Sequence, residues 1–458
     1  MIRYEGSVMK ASSDTLKHLW FPFTYYNDLE HSPPLIIEYG RGLYVYDKSG
    51  KGYLDAIGSW WVSILGHNHP EISEAIKKQL DKLEHVMMAG FVTEPAIELA
   101  DKLISILPRG LNRIFYSDNG STAVEVALKI ALQYQALKGS QRSGFIAFSG
   151  AYHGDTLGAM SVGMIPHYHA TFHARFKMQS FVNSPYCYRC PTGKESTTCK
   201  AECMDSLEQA LADHGDTTAA CIFEPMVQGA GGMRIYPEKV LKRVFALCRK
   251  YDVLTIADEV AMGFGRTGKM FACEHARETP DIMCLAKGIT GGYLPLAATA
   301  VKEHIFDEFK GGFASDRIFH HGHTFTGNPL AAAAACATLD VLKREKIPES
   351  LKSKVDYFQK NLQHFNEFDI VGDIRSIGMI GALELVRDRQ TKEPPPPESR
   401  LAYRICRKAI GLGLLLRPLG NVVYFVPPYI ISEDEINNMF HIAKIAMHEA
   451  LHETDATL

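Results

Sequence analysis

From about Ser73 onward, short apolar and β-branched runs alternate with longer stretches whose apolar positions recur every three or four residues. That alternation predicts strands interleaved with helices, the pattern of an α/β domain with a largely parallel sheet. Residues 113–117, 145–148, 220–223, 254–257 and 283–286 read as strands, since each is a continuous apolar run too short for a helix. Residues 122–134 and 240–251 carry helical apolar spacing, and the second lies between two predicted strands, as a crossover requires. The sheet is therefore expected to be central and buried on both faces. After Asn328-Pro329 an alanine-rich helix is expected over 330–342. Beyond it the rhythm changes to scattered helices with apolar runs at 382–386 and 422–426, which predicts a second, smaller domain. The four prolines at 394–397 predict a stiff connector before a helix from Arg400. No internal repeat is visible.

Composition narrows the class. A chain of 458 residues with 46% hydrophobic and 22% charged residues can bury a large core, which excludes disorder as the main state. Its 49 Lys+Arg against 52 Asp+Glu leave a net charge of −3 with no clustered basic excess, so no nucleic-acid partner is expected. No window reaches the ~18 apolar residues of a membrane helix, and Met1 to Lys10 lacks the layout of a signal peptide. A cytoplasmic protein with reduced thiols and no membrane partner is the expectation. Six of the ten cysteines stand singly in apolar contexts, unlike a disulfide scaffold.

The strongest chemical constellation is a predicted strand ending in Ala257-Asp258-Glu259-Val260 beside one ending in Lys287-Gly288. Side chains at the carboxyl ends of parallel strands line the ligand crevice of such sheets. Desolvation makes a lysine nucleophilic enough to form a Schiff base, and a buried aspartate suits a protonated pyridine nitrogen. An ordinary Lys287–Asp258 ion pair is the competing reading. Ser117-Asp-Asn-Gly-Ser-Thr122 follows a strand and opens a helix, either as a phosphate cradle or as a plain cap. The segment His323-Thr324-Phe-Thr326-Gly-Asn328 offers hydroxyls for the same purpose or for a turn, and Tyr152 in Gly150-Ala-Tyr-His-Gly154 is placed to lie on a flat ring or simply to pack.

Two further motifs carry weaker meanings. Gly263-Phe-Gly265-Arg-Thr-Gly268 matches a dinucleotide fingerprint, but no helical capping follows it and two carboxylates precede it, so a nicotinamide site is not expected. Cys187, Cys190, Cys199 and Cys203 are either ligands of a structural zinc or free thiols; their spacing is compact for a zinc ribbon, and no metal is assigned.

Taken in order, these segments resemble the class III, or ω-amino, branch of the fold-type I pyridoxal-phosphate aminotransferases over the whole chain. Leu19-Trp-Phe-Pro-Phe-Thr24, Ser59-Trp-Trp61, Gly66-His-Asn-His-Pro70, Tyr152-His-Gly-Asp-Thr156, Val227-Gln-Gly-Ala-Gly-Gly-Met233 and Arg417-Pro-Leu-Gly420 are similar to the members that aminate 8-amino-7-oxononanoate to 7,8-diaminononanoate in biotin synthesis. The resemblance implies an N-terminal segment, 1–65, joining the small domain, a large cofactor-binding domain, 66–328, and a C-terminal α+β small domain, 329–458. It implies pyridoxal 5′-phosphate on Lys287, with Asp258 at the pyridine nitrogen, Tyr152 and Val260 on the two ring faces, and Gln228 near the phenolic oxygen. Gly120, Ser121 and, from a second subunit, Thr324 would hold the phosphate, which makes a homodimer the expected assembly. Trp60, Trp61 and Gly322 would border the substrate, and Arg417 would pair with its carboxylate. For Arg266 the resemblance implies a structural role or one at the edge of the active site, Glu224 at a strand end is a lesser candidate of the same kind, and His67, His69 and His321 receive no role. The sequence departs from the family pattern at Phe23, where a tyrosine is common, at His323, where proline is common, and at Met262, where threonine is common. The amino donor, S-adenosylmethionine or lysine, therefore stays open. Another ω-amine transaminase, or an aminomutase or epimerase on the same cofactor, stands as the alternative.

Overall fold

The computed structural model describes residues 16–173 and 179–453. Its centre is a seven-stranded sheet in the spatial order Leu111–Ser117, Ala297–Lys302, Ile282–Leu285, Leu254–Asp258, Thr218–Phe223, Gly144–Phe148 and Gln179–Val182. All neighbours pair in parallel except Ala297–Lys302, which runs antiparallel to both of its neighbours. The sheet is thus mixed and mostly parallel, as the apolar runs predict. Two of its strands escape the sequence pattern for physical reasons. Ala297–Lys302 is alanine-rich, with little of the β-branched bulk that marks a strand, and Gln179–Val182 is a four-residue edge.

Successive strand side chains point to opposite faces, so each strand feeds two cores. Phe145, Ala147 and Ile222 pack with the helix Gly120–Leu137 on one side. Ile146, Phe148, Cys221 and Phe223 belong to the other side, with Val240, Leu241, Val244 and Phe245 of the helix Glu238–Lys250. Burial on both faces explains why these strands read as unbroken apolar runs.

The C-terminal part has a three-stranded antiparallel sheet, Val371–Ile377, Ile380–Leu385 and Val422–Phe425, packed by the helices Lys352–Leu362, Leu401–Gly411 and Glu433–His452. The N-terminal meander Ile37–Arg41, Tyr44–Asp47 and Gly52–Asp55 is extended by Leu414–Leu415, which pairs in parallel with Gly52–Asp55. The two ends of the chain therefore meet in one sheet. The dinucleotide-like segment after Leu254–Asp258 runs as turns towards a single 3-10 turn, Ala272–His275, and opens no α-helix. Instead, Glu259 accepts the amides of Ala272 and Cys273 at 2.9 and 2.8 Å. Among the described residues no helix is long and apolar enough to cross a membrane.

Phe245 is 3% exposed and meets Phe223 of the sheet edge-on, with centroids 5.3 Å apart. Phe245→Ala should cost about 3–5 kcal/mol of unfolding free energy in urea denaturation. A loss below about 1 kcal/mol would mean that the helix is not pressed on the sheet as described.

Candidate active site

Five strands of the central sheet end at one cleft. In the parallel register Ala257 faces Phe223, so the next residues, Asp258 and Glu224, leave adjacent strands at the same level. Ile282–Leu285 delivers Lys287 two residues beyond its end, Gly144–Phe148 leads to Tyr152 and His153, and Leu111–Ser117 leads to Gly120 and Ser121. These residues line a cavity of about 690 Å³ together with Trp61 and Val260. The carboxyl ends of parallel strands are where such sheets bind ligands, because the loops there are free to diverge.

Lys287 lies half-buried in this cavity, with a backbone φ of +48° that a lysine rarely adopts. Its Nζ sits over the Trp61 ring, 4.3 Å from the centroid. Burial pushes its pKa down to about 8, against the opposing pull of Asp258 and Glu224. Desolvation therefore outweighs the two carboxylates. The partner of Asp258 is His153, whose Nδ1 lies 2.7 Å from Oδ2, while Oδ1 accepts the Val260 amide at 3.1 Å. The competing reading, a plain Lys287–Asp258 ion pair, is not formed. His153 is 3% exposed and its Nε2 has no partner.

Glu224 fastens two walls together. Its carboxylate accepts the Tyr152 amide at 3.0 Å and the Gly229 amide at 2.8 Å, and burial raises its pKa to about 7. The Tyr152 hydroxyl donates to Asp155 Oδ2 at 2.7 Å, and its ring stacks on His169 with centroids 6.1 Å apart. At the other end of the cavity, Asn119 and Thr122 form a reciprocal capping box that starts the helix Gly120–Leu137. The first amides of that helix have no intrahelical partner and lie at its positive end. A Cβ on Gly120 would sit 2.5 Å from Val260 Cγ1, so only glycine lets the helix start this close to the wall. Ser121 Oγ accepts the Thr156 amide at 3.0 Å and lies 2.8 Å from its hydroxyl.

Ser59, Trp60 and Trp61 take successive φ values of +46, +67 and +75°. Each such residue costs on the order of 1–3 kcal/mol, and such strain collects at functional sites. Asp55 helps hold the turn, accepting Ser59 Oγ at 2.7 Å with His67 Nε2 3.0 Å away. Trp61 is thereby turned in over Lys287, while Trp60 points outward at 39% exposure. Trp60 meets Phe23 edge-on at 5.7 Å and lies under the Arg417 guanidinium at 5.1 Å. Phe23 in turn touches Tyr168, which touches Tyr152. Arg417 Nη2 donates to the Phe23 carbonyl at 2.9 Å. An aromatic wall thus runs from the cavity to a half-exposed cation.

The cavity brings together Gly120, Ser121, Tyr152, Asp258, Val260, Lys287 and Trp61 from the set predicted by sequence. Gln228 lies behind the wall, with Nε2 donating to the Ser149 carbonyl at 3.1 Å and Oε1 accepting Ser184 Oγ at 2.6 Å. Gly322 and Thr324 are exposed and do not line this cavity. His153 was not foreseen, and Glu224, a lesser strand-end candidate by sequence, serves as the clamp between Tyr152 and Gly229. The signal for His153 was its place in the Tyr152-His-Gly segment combined with the need of a buried carboxylate for a partner.

A family model described as aminotransferase class-III matches residues 25–447. Over 423 residues the chain is 47% identical to the adenosylmethionine-8-amino-7-oxononanoate aminotransferase of Geobacter sulfurreducens, covering 92% of this chain and 93% of that one. The crystal structure of the protein of that name from Methanocaldococcus jannaschii superposes with a TM-score of 0.90 at 40% identity, over 94% of this chain and 97% of that one. An ω-transaminase from Pseudomonas jessenii in complex with PMP superposes with a TM-score of 0.90 at 32% identity, over 96% and 97%.

The lowered Lys287 pKa makes a signed prediction. The unfolded chain keeps this proton to about 10.5, and the folded ligand-free protein releases it above about 8. Between those values the unfolded state binds more protons, so stability gains an increment with rising pH that Lys287→Met removes. An amine-directed reagent should label Lys287 of the ligand-free protein with a midpoint near 8. A midpoint near 10.5 would show the amine to be solvated.

Proposed function

The chain belongs to the class-III aminotransferase family, and from that we propose that it transfers an amino group to 8-amino-7-oxononanoate, giving 7,8-diaminononanoate in biotin synthesis, with pyridoxal 5′-phosphate as cofactor. The observation that carries this reading is the desolvated Lys287 across one cavity from Asp258, in a chain 47% identical to the Geobacter sulfurreducens enzyme. The residues present fit the cofactor. A buried carboxylate backed by an imidazole suits a ring nitrogen, a helix start with free amides suits a phosphate, and a lysine of pKa about 8 suits a carbonyl carbon. When bound, the cofactor supplies a protonated ring that takes up the electron pair released at the substrate carbon.

The chain's own residues then have separable tasks. Lys287 Nζ would hold the cofactor and would carry a proton to and from the substrate carbon, a task for which the desolvation that lowers its pKa suits the amine. Asp258 keeps the ring nitrogen protonated, and His153 fixes the carboxylate's orientation from behind. Gly120 and Ser121 receive the phosphate. Tyr152 and Val260 bound the ring, and Glu224 holds Tyr152 through its amide. Gln228, whose side chain is tied to Ser149 and Ser184 behind the wall, would approach the ring's phenolic oxygen. Trp61 shields Lys287 Nζ from water, and Trp60, Gly322 and Arg417 border the acceptor. Arg417 has five N–H donors and spends one on Phe23, leaving a fork for a carboxylate.

Thr324 acts from the partner subunit in this reading. Support comes from its exposure away from its own cavity and from apolar surface nearby. Phe325 is 59% exposed and touches His85, which precedes the exposed Met87, Phe91 and Val92. Exposed apolar side chains of this kind suit an association surface, which supports a homodimer as the proposed assembly. The division into 1–65, 66–328 and 329–458 is supported by the pairing of Gly52–Asp55 with Leu414–Leu415.

The test is turnover of 8-amino-7-oxononanoate by the cofactor-loaded protein, with S-adenosylmethionine and lysine compared as donors. Diamine formation is expected with one of them, and none with Lys287→Ala. Arg417→Ala should raise KM for the acceptor at least about tenfold, with Arg417→Lys recovering part of the loss. Brisk turnover of simple ω-amines with no response to the long keto acid would replace this assignment with a general ω-amine transaminase.

A further inference from the structure

The reaction leaves four cysteines unused, and the fold gathers them. Cys187, Cys190, Cys199 and Cys203 line one small cavity in the connection between the strand Gln179–Val182 and the helix Asp205–His214. All four are free thiols. From Asn183 to Ala201 this connection has no helix or strand, a length at which loops inside compact domains are uncommon without a specific reason for their order. Few apolar side chains are available to fix it; Cys187, Ala201, Cys203 and Met204 are its contributions to the core.

Its backbone is nevertheless shaped around sulfur. The turn Cys190-Pro-Thr-Gly193 closes through Gly193 N to Cys190 O at 3.0 Å, with Gly193 at a φ of +67°. Thr192 Oγ1 lies 3.3 Å from Cys190 Sγ at the mouth of this turn. The second half of the loop is pinned by cations of the helix Glu238–Lys250. Lys239 Nζ donates to the carbonyls of Ser196 and Cys199 at 2.6 and 2.7 Å, and Arg243 Nη1 donates to Ala201 O at 2.9 Å. Ala201 takes a φ of +66°, which turns the chain into Glu202–Met204 and brings Cys203 back to the other three.

We propose that Cys187, Cys190, Cys199 and Cys203 bind one zinc ion in a tetrahedral four-thiolate site. Zinc favours this ligand set and a closed, structural geometry. Among the described residues no group of three or more histidine, cysteine, aspartate or glutamate side chains already stands in ligating geometry, so the proposal requires the four sulfurs that line the cavity to converge when the metal enters. Each thiol gives up its proton on binding, and the dication with four thiolates carries two excess negative charges, which Lys239 stands close by to offset. The loop so fixed is a junction. Tyr186 and Arg189 both bind Glu384 in the strand Ile380–Leu385, Arg189 at 2.9 Å, while Ser184 holds Gln228. The ion would thereby brace the C-terminal sheet against the edge of the central one.

The test is metal analysis of the protein purified without chelator, and again after the reduced apo-protein is incubated with zinc and desalted. About one zinc per chain is expected in both, absent from Cys190→Ser/Cys199→Ser. Zinc should also raise the Tm of the reduced apo-protein by several degrees and leave the Tm of the double variant unmoved. Sub-stoichiometric zinc in the reconstituted wild-type protein, or an intact mass showing two disulfides among these cysteines, would overturn the proposal. Reconstitution uses the unaltered chain, so failure of the variant to fold would not decide the question. Neither outcome touches the amino-transfer reading.

Discussion

A lysine amine held out of water at the carboxyl end of a buried strand is expensive, and much of the fold around the cleft is arranged to keep it there. Lys287 sits in left-handed backbone, under an indole, in a cavity whose carboxylates pull on it without capturing it. Had Asp258 formed a direct ion pair, the amine would be held protonated and unreactive at neutral pH. The arrangement avoids that by giving Asp258 a different partner. His153 takes one carboxylate oxygen and the Val260 amide takes the other. The same side chain that would quench the lysine is thereby held in a fixed orientation facing the cavity.

The carboxylates show how burial and hydrogen bonding divide the work. Glu224 is pushed up to about 7 by burial although two amides donate to it, so desolvation is again the larger effect. Its two amide contacts join the Tyr152 loop to the turn after Gln228, and the wall of the cavity depends on them. The aromatic turn Ser59-Trp60-Trp61 is the counterpart on the other side. Its backbone strain is tolerated because Asp55 and the packing of Trp61 on Tyr424 over-determine it. Rigid strand ends and a strained loop together set the position of one nitrogen.

Much of this was legible in the sequence. The buried strands announced themselves as apolar runs, and Lys287 and Asp258 were recognisable because each ended one of those runs. Gly120 and Ser121 were marked by a strand-to-helix turn rich in glycine and hydroxyls. What stayed hidden depends on contacts between distant segments. No local pattern says that His153 will reach Asp258, that Gly120 is needed because Val260 lies against it, or that Gln228 will be tied to Ser149 and Ser184. The strand Ala297–Lys302 was missed because alanine carries no β signature, and its place is fixed by pairing on both sides. Thr324 and Gly322 are exposed away from the cavity of their own chain, which no local pattern announces.

The central claim is that this cleft exchanges an amino group with the diamine of biotin synthesis. Its most direct test is the visible absorption of the cofactor-loaded protein as 7,8-diaminononanoate is added with no acceptor present. The account predicts that the Schiff-base band decays and that 8-amino-7-oxononanoate restores it. A band that is present and unchanged by the diamine would contradict the substrate assignment, while leaving the fold and the lysine chemistry in place.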